Sequence, residues 1–207
     1  GSDTLRQRRP RIGVPAPARS ALLRVTPISV AFWALGGFYL SLMPSLIGRV
    51  TGSNSIWLGG LAVGTLTLTG GAAILFMQRR EARTALLVAI VSLLAGMPTI
   101  LAGAIFGQPA ILLAGTLIAG IGFGSGFLGA LRTVMPLASP DERAGLLAAF
   151  YVESYLAFSL PAILAGCLAR QFDLLTVATF YGAGLWALAL VGLALALAGS
   201  RPEAARA

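Results

Sequence analysis

Long uncharged runs separated by short arginine-bearing gaps set the pattern of this chain. Residues 25–48 and 50–78 carry no charge, and the run 84–131 is uncharged for 48 residues. Residues 144–169 carry a single charge, Glu153, and 174–200 carry none. A helix needs about 20 apolar residues to cross the hydrocarbon core, so the longest run has room for two crossings. Gly107-Gln108-Pro109 interrupts it near the middle, where a hairpin between two spans belongs. The pattern predicts six transmembrane helices near 25–48, 56–78, 84–106, 109–135, 144–169 and 174–199. Backbone polar groups in lipid have to be satisfied within their own segment, which selects helix. A membrane β-barrel would need alternating polar and apolar positions, and these runs do not alternate.

Composition strengthens this picture. Of the 207 residues, 57% are hydrophobic and 11% charged, and the mean hydropathy is +0.87. A soluble domain carries roughly a quarter of its residues charged, so lipid has to be the solvent over most of this chain. The net charge of +8 comes from 15 arginines and no lysine. These sit in short clusters without the aromatic interleaving that stacks bases, so no nucleic-acid partner is expected. Histidine is absent and Cys167 is the only cysteine. This excludes Ser-His and Cys-His catalysis, imidazole zinc sites and an intrachain disulfide, and no cofactor or metal is expected. Cys167 reads as a packing residue. An intramembrane protease is disfavoured as well: position 123 is Phe, so Gly-x-Ser-Gly is missing, and the spans hold no paired aspartates. The chain reads as a non-enzyme.

Arginine placement fixes an expected orientation. Arg6, Arg8, Arg9, Arg11, Arg19 and Arg24 precede the first span, and Arg79, Arg80 and Arg83 follow the second. Arg132 and Arg143 flank the gap between the fourth and fifth spans, and Arg201 and Arg206 follow the last. These 13 fall on one side, and only Arg49 and Arg170 on the other. The positive-inside rule makes the richer side cytoplasmic, with both termini inside. Residues 1–24 then form a basic cytoplasmic arm, 25–200 a six-helix transmembrane domain and 201–207 a cytoplasmic tail. The chain begins Gly1-Ser2 and its first methionine is Met43, so it reads as a piece of a longer protein.

Candidate chemistry lies inside the spans. Glu153 is nine residues beyond Ala144 and so about 14 Å deep at 1.5 Å per residue. Gly145, Ala149, Glu153, Ala157 and Pro161 recur every four residues, a stripe that faces other helices. An intramembrane carboxyl is a candidate proton site, ion relay or partner for a cationic group; the plainer alternative is a protonated Glu bonded to a neighbour. Arg132, near the end of the fourth span, either snorkels to the surface or forms an ion pair with Glu153, Asp141 or Glu142 as a gate element. Gly124-Ser125-Gly126-Phe127-Leu128-Gly129 matches G-x-G-x-x-G, but no strand can precede it here, so no dinucleotide site is read. Gly120/Gly124 and Gly122/Gly126 are G-x-x-x-G pairs. They allow either tight helix packing or a flexible helix whose Gly122, Gly124 and Gly126 line a cavity. Trp33 and Tyr39, with Tyr151 and Tyr155 flanking Glu153, are further cavity-lining candidates. Trp57 reads as an interfacial anchor, and Pro44, Pro98 and Pro161 predict kinks. The third and sixth spans are the least polar and read as lipid-facing. That polarity order repeats every three helices, as in two inverted three-helix repeats.

The stretch GFGSGFLGALRTVMPLASPDERAGLLAAFYVESYLAFSLPAILAG (residues 122–166), with AFWALGGFYLSLMPSL (31–46), resembles the C-terminal half of a major facilitator superfamily transporter of the bacterial efflux type. The resemblance covers nearly the whole chain. It implies that the spans are helices seven to twelve of a twelve-helix fold, with residues 1–24 joining the halves. It further implies a secondary transporter in the bacterial inner membrane, an antiporter working by proton-coupled alternating access on a small-molecule substrate. The missing N-terminal half would be its partner. In that family the first and fourth helices of a half line the cavity, and the third and sixth face lipid. Gln78-Arg79-Arg80-Glu81-Ala82-Arg83 stands where the family carries a G-x-x-x-D-R-x-G-R-R-type loop, without its glycine and aspartate. A non-transporting scaffold or degenerate half is the alternative.

Overall fold

The computed structural model describes residues 13–53 and 55–198. The described residues form seven α-helices and no strand: α1 Ala16–Ser41, α2 Met43–Thr51, α3 Ile56–Met77, α4 Ala82–Ile105, α5 Pro109–Val134, α6 Arg143–Leu168 and α7 Leu174–Ala198. A 3-10 turn, Met135–Leu137, extends α5. Six of these helices, all but α2, are long and apolar enough to span a bilayer. The protein is an all-α polytopic membrane protein with the lipid bilayer as its surroundings.

Local chemistry explains where the helices begin and end. The first helix starts at Ala16, well before the expected 25, because Pro15 and Pro17 preset its first turn. Arg19 and Arg24 therefore stand on helix and not in a loop. Pro44 removes a helical donor, and the chain breaks at Leu42 before resuming as α2. Pro98 and Pro161, expected to kink their spans, lie inside continuous helices, as does Pro27. The Gly107 hairpin is present as expected: Gly107 takes φ +64 and the Gln108 N–H donates back to the Gly103 carbonyl at 2.8 Å. This is the Schellman closure of α4, and Pro109 opens α5. At the start of α6, Ser139 Oγ donates to Glu142 Oε2 at 2.6 Å, and the same carboxylate accepts the Ser139 N–H. Asp173 caps α7 by accepting the N–H groups of Leu175 and Thr176.

Two helices act as hubs. α5 takes α3 and α4 against it, α1 takes α6 and α7, and the hubs touch each other, as do α4 and α7. Adjacency in sequence does not decide packing: α4 and α5 form the most extensive pair, whereas α6 packs little on α7, and α3 and α4 form no packed pair. Of each helix's most apolar stretch, 56% is buried in α1 and 50% in α5, against 22% in α3, α6 and α7. The third span, α4, reaches 39%, so it is more enclosed than α3 or α6 and is not one of the two most lipid-facing helices.

Glycine decides why α4 is enclosed. Gly96 and Gly103 of α4, and Gly115, Gly122 and Gly129 of α5, recur every seven residues along one seam. A Cβ at Gly96 would sit 2.8 Å from the Ala119 amide nitrogen, and one at Gly129 would sit 2.9 Å from that of Leu86. Only hydrogen at these positions lets the two backbones approach so closely.

Candidate functional site

The residues expected to line a cavity separate into two groups. Gly122, Gly124 and Gly126 are packing glycines and line neither of two cavities described below. Gly122 lies against Ala89 and Leu93 of α4, Gly124 against the Gly70 backbone of α3, and Gly126 against Phe32 of α1. Gly120 joins Gly124 on the α3 face, so that G-x-x-x-G pair is a helix crossing. Tyr39 lines neither of these cavities. It is fully buried, and its hydroxyl donates to Thr116 Oγ1 of α5 at 2.8 Å. The Thr116 hydroxyl donates onward to the Leu112 carbonyl at 2.9 Å.

Trp33, Tyr151 and Tyr155 belong to a second group: Tyr151 and Tyr155 flank Glu153 on α6, and Trp33 stands one turn beyond Ser29 on α1. The stripe of Gly145, Ala149, Glu153, Ala157 and Pro161 is buried or half-buried throughout, while Tyr151, Val152, Tyr155 and Leu156 are exposed. The stripe faces α1. The hydroxyls of Thr26 and Ser29 lie close to the Glu153 carboxyl, with Ser29 Oγ outside hydrogen-bond geometry. No arginine pairs with it: among the described residues the ion pair is Arg49 with Asp173. Further along, α1 and α6 cross where Gly37 meets the Phe158 backbone, about 7 Å beyond Glu153 along the helix.

Aromatic rings connect this group across three helices. Trp33 of α1 stands 6.0 Å from Phe123 and 6.1 Å from Phe127 of α5, both edge-on. Phe127 lies 6.4 Å from Phe150 of α6, and the series continues through Tyr151 to Tyr155. Phe123, Phe127, Phe150, Thr26 and Ser29 were not singled out from the sequence. The spacing of Phe123 and Phe127, four apart within the glycine run, was a usable signal, since such residues share a helix face.

Hydrogen bonding sets the group apart. Glu153 Oε1, Ser29 Oγ and Trp33 Nε1 are buried with no hydrogen-bond partner, as are Ser41 Oγ and Ser125 Oγ elsewhere. Thr26 spends its own donor on the Leu22 carbonyl at 2.9 Å. A carboxyl beside two hydroxyls can hold a proton or release it, because a hydroxyl both donates and accepts.

Arg132 is exposed at the arginine-rich end and does not meet Glu153, Asp141 or Glu142. Its guanidinium donates to the Gln78 carbonyl at 2.5 Å and the Arg80 carbonyl at 3.0 Å, clasping the last turn of α3 from α5. The opposite end of the bundle is joined by Arg49 of α2 and Asp173 at 2.7 Å, and Arg49 holds that carboxyl below its ordinary range. Cys167, expected to be a packing residue, is exposed, and Trp57 is exposed as an interfacial anchor would be.

A cavity of about 710 Å³ lies between α6 and α7 over α1, walled by apolar groups of Val30, Ala34, Leu164, Phe180 and Leu188. Another of about 340 Å³ lies at the arginine-rich end. Neither is lined by Glu153 or by the aromatic series. No family model matches the chain, and no curated protein or solved structure matches it either.

Proposed function

We propose that the chain is the C-terminal six-helix half of a major facilitator-type secondary transporter, an efflux antiporter for which Glu153 exchanges the coupling proton. The observation that carries this reading is the lone carboxyl of α6, within a span and unpaired by any cation among the described residues, against Thr26 and Ser29 of α1. A buried carboxyl in lipid costs a few kcal/mol, and no arginine among the described residues offsets that cost. The hub arrangement supports two inverted triplets. Exchanging α1, α3 and α4 with α5, α6 and α7 turns the pairs α5–α3 and α5–α4 into α1–α6 and α1–α7. On this reading the arginine-rich end is cytoplasmic in a bacterial inner membrane, a small molecule is the substrate, and an N-terminal half completes the path.

Proton flux in proteoliposomes under an imposed pH gradient tests the assignment on the full protein. Glu153→Gln, which keeps the shape and removes the titration, should abolish coupled flux while leaving the fold intact. Wild-type coupling in that variant rejects the role. The second reading, a non-transporting scaffold or degenerate half, is favoured by the placement of the expected lining residues away from the two cavities. Failure of the chain to restore transport when coexpressed with a matching N-terminal half would support it.

A further inference from the structure

At the arginine-rich end, the 340 Å³ cavity is enclosed by α1, α4, α5 and α7, far above the roughly 10–15 Å³ that a single water needs. Its rim carries Arg24 of α1 and Arg83 of α4, neither of which has a hydrogen bond or an ion pair among the described residues. Its depth is apolar, formed by Val25, Ile28, Leu86 and Ile90. The first turn of α4 also lies on this cavity through Ala82 and Arg83. That turn is uncapped by any side chain, since Glu81 at the N-cap makes no capping hydrogen bond. Its first-turn N–H groups and the positive end of the helix dipole lie at the same end of the bundle as the arginines.

Two cations and a helix N-terminus above an apolar floor match an amphiphile with an anionic head. We propose that this cavity binds the phosphodiester headgroup of an anionic phospholipid, with the upper acyl chain against Ile28, Leu86 and Ile90. Arg24 and Arg83 take the phosphate oxygens, with a geometry suited to paired N–H donors. A water-soluble phosphate compound would need no apolar floor, which is why the lipid is the occupant chosen. The inference is independent of any transport activity.

Lipid titration on the full chain in detergent tests this, with phosphatidylglycerol, phosphatidylcholine and inorganic phosphate as the probes and bound-lipid mass spectrometry as the readout. Phosphatidylglycerol should bind in preference to phosphatidylcholine. At about one basic side chain's worth of headgroup attraction each, Arg24→Gln or Arg83→Gln should weaken that binding about fivefold, and both together about thirtyfold. Arg79→Gln removes the same charge from the same end without touching the cavity, and should leave the affinity within about twofold. Loss with Arg79→Gln equal to that with Arg83→Gln would mean diffuse attraction and overturn the site. An unchanged preference in the double variant would overturn it too. Inorganic phosphate competing at the same concentration as phosphatidylglycerol would overturn the lipid assignment. Unchanged melting of each variant in phosphatidylcholine alone shows that a lost preference is not a lost fold.

Discussion

Replacing Gly124 by alanine is the sharpest test of how α5 is used. An added Cβ would stand 2.6 Å from the Gly70 carbonyl carbon and 2.8 Å from its Cα. Backbone atoms cannot rotate aside, so α3 and α5 would have to part by about 1 Å to reach ordinary contact, and a gap of that size forfeits a quarter to a half of each facing contact. Overpacking of this kind costs about 1–3 kcal/mol. At about 2–4 °C per kcal/mol for a chain of this size, Tm should fall by about 2–12 °C. Gly71→Ala is the matched control, because a Cβ there meets nothing within 4 Å. Alanine is also the better helix former by nearly ~1 kcal/mol, so its Tm should hold or rise slightly. Thermal unfolding of both variants in one detergent provides the comparison. Equal melting of the two would refute the close crossing. If Gly124→Ala melts like wild type but loses transport, the glycine serves as a hinge in a flexible helix.

Trp186 Nε1 donates to the Leu94 carbonyl at 3.0 Å, and that carbonyl is four residues before Pro98, which has no N–H to offer it. Trp186→Phe should therefore destabilise the α4–α7 contact by about 0.6–1.7 kcal/mol. In a Pro98→Ala background, where the helix satisfies Leu94 itself, the loss in a double-mutant melting cycle should shrink toward zero; an undiminished loss would sink this account. At the other end, Asp173 lies below its ordinary value of 3.8 because Arg49 bonds to it, with the Thr176 and Leu175 amides adding to the effect. The carboxylate thus contributes stability that is present at neutral pH and lost as the pH falls through its lowered native pKa. Wild type should melt above Asp173→Asn at neutral pH and converge with it in acid; parallel curves would show that the pair contributes nothing.

The spans were legible because charge is so costly in lipid that its absence marks them, and Glu153 stood out for the same reason. The start of α1 was not legible. Arg19 and Arg24 resemble a loop until the fixed φ of Pro15 and Pro17 is counted as a helix start. The glycines announced close approach but not to which helix. On α5 the partner changes within a few residues: Gly120 and Gly124 meet α3, Gly122 meets α4, and Gly126 meets Phe32 of α1. Polarity alone therefore misplaced α4, whose apolar surface is spent on its seam with α5. Arg132 escaped for a different reason. Its acceptors are main-chain carbonyls, which every residue possesses, so no side-chain pattern points to them.

Several polar groups at breaks and crossings find partners. Leu94 is served by Trp186, the Ala34 carbonyl accepts the Tyr181 hydroxyl at 2.7 Å, and the end of α3 is served by Arg132. Ser29 and Trp33, one turn apart on α1, find none, and neither do Ser41 and Ser125. The asymmetry of hydrogen-bond energetics makes this contrast testable. Removing a bonded partner costs about 1–3 kcal/mol, whereas removing a buried hydroxyl that bonds to nothing costs little and relieves its desolvation. Ser29→Ala should therefore leave Tm unchanged or raise it, since only an unpartnered Oγ is lost. Coupled proton flux, measured on the same preparation, should nevertheless fall, because the Glu153 carboxyl loses a nearby hydroxyl free to bond to it as its proton is exchanged. A variant that loses stability would show that Ser29 serves the packing of α1 on α6. One that keeps both stability and flux would remove Ser29 from the proton site and leave Thr26 as the hydroxyl to test.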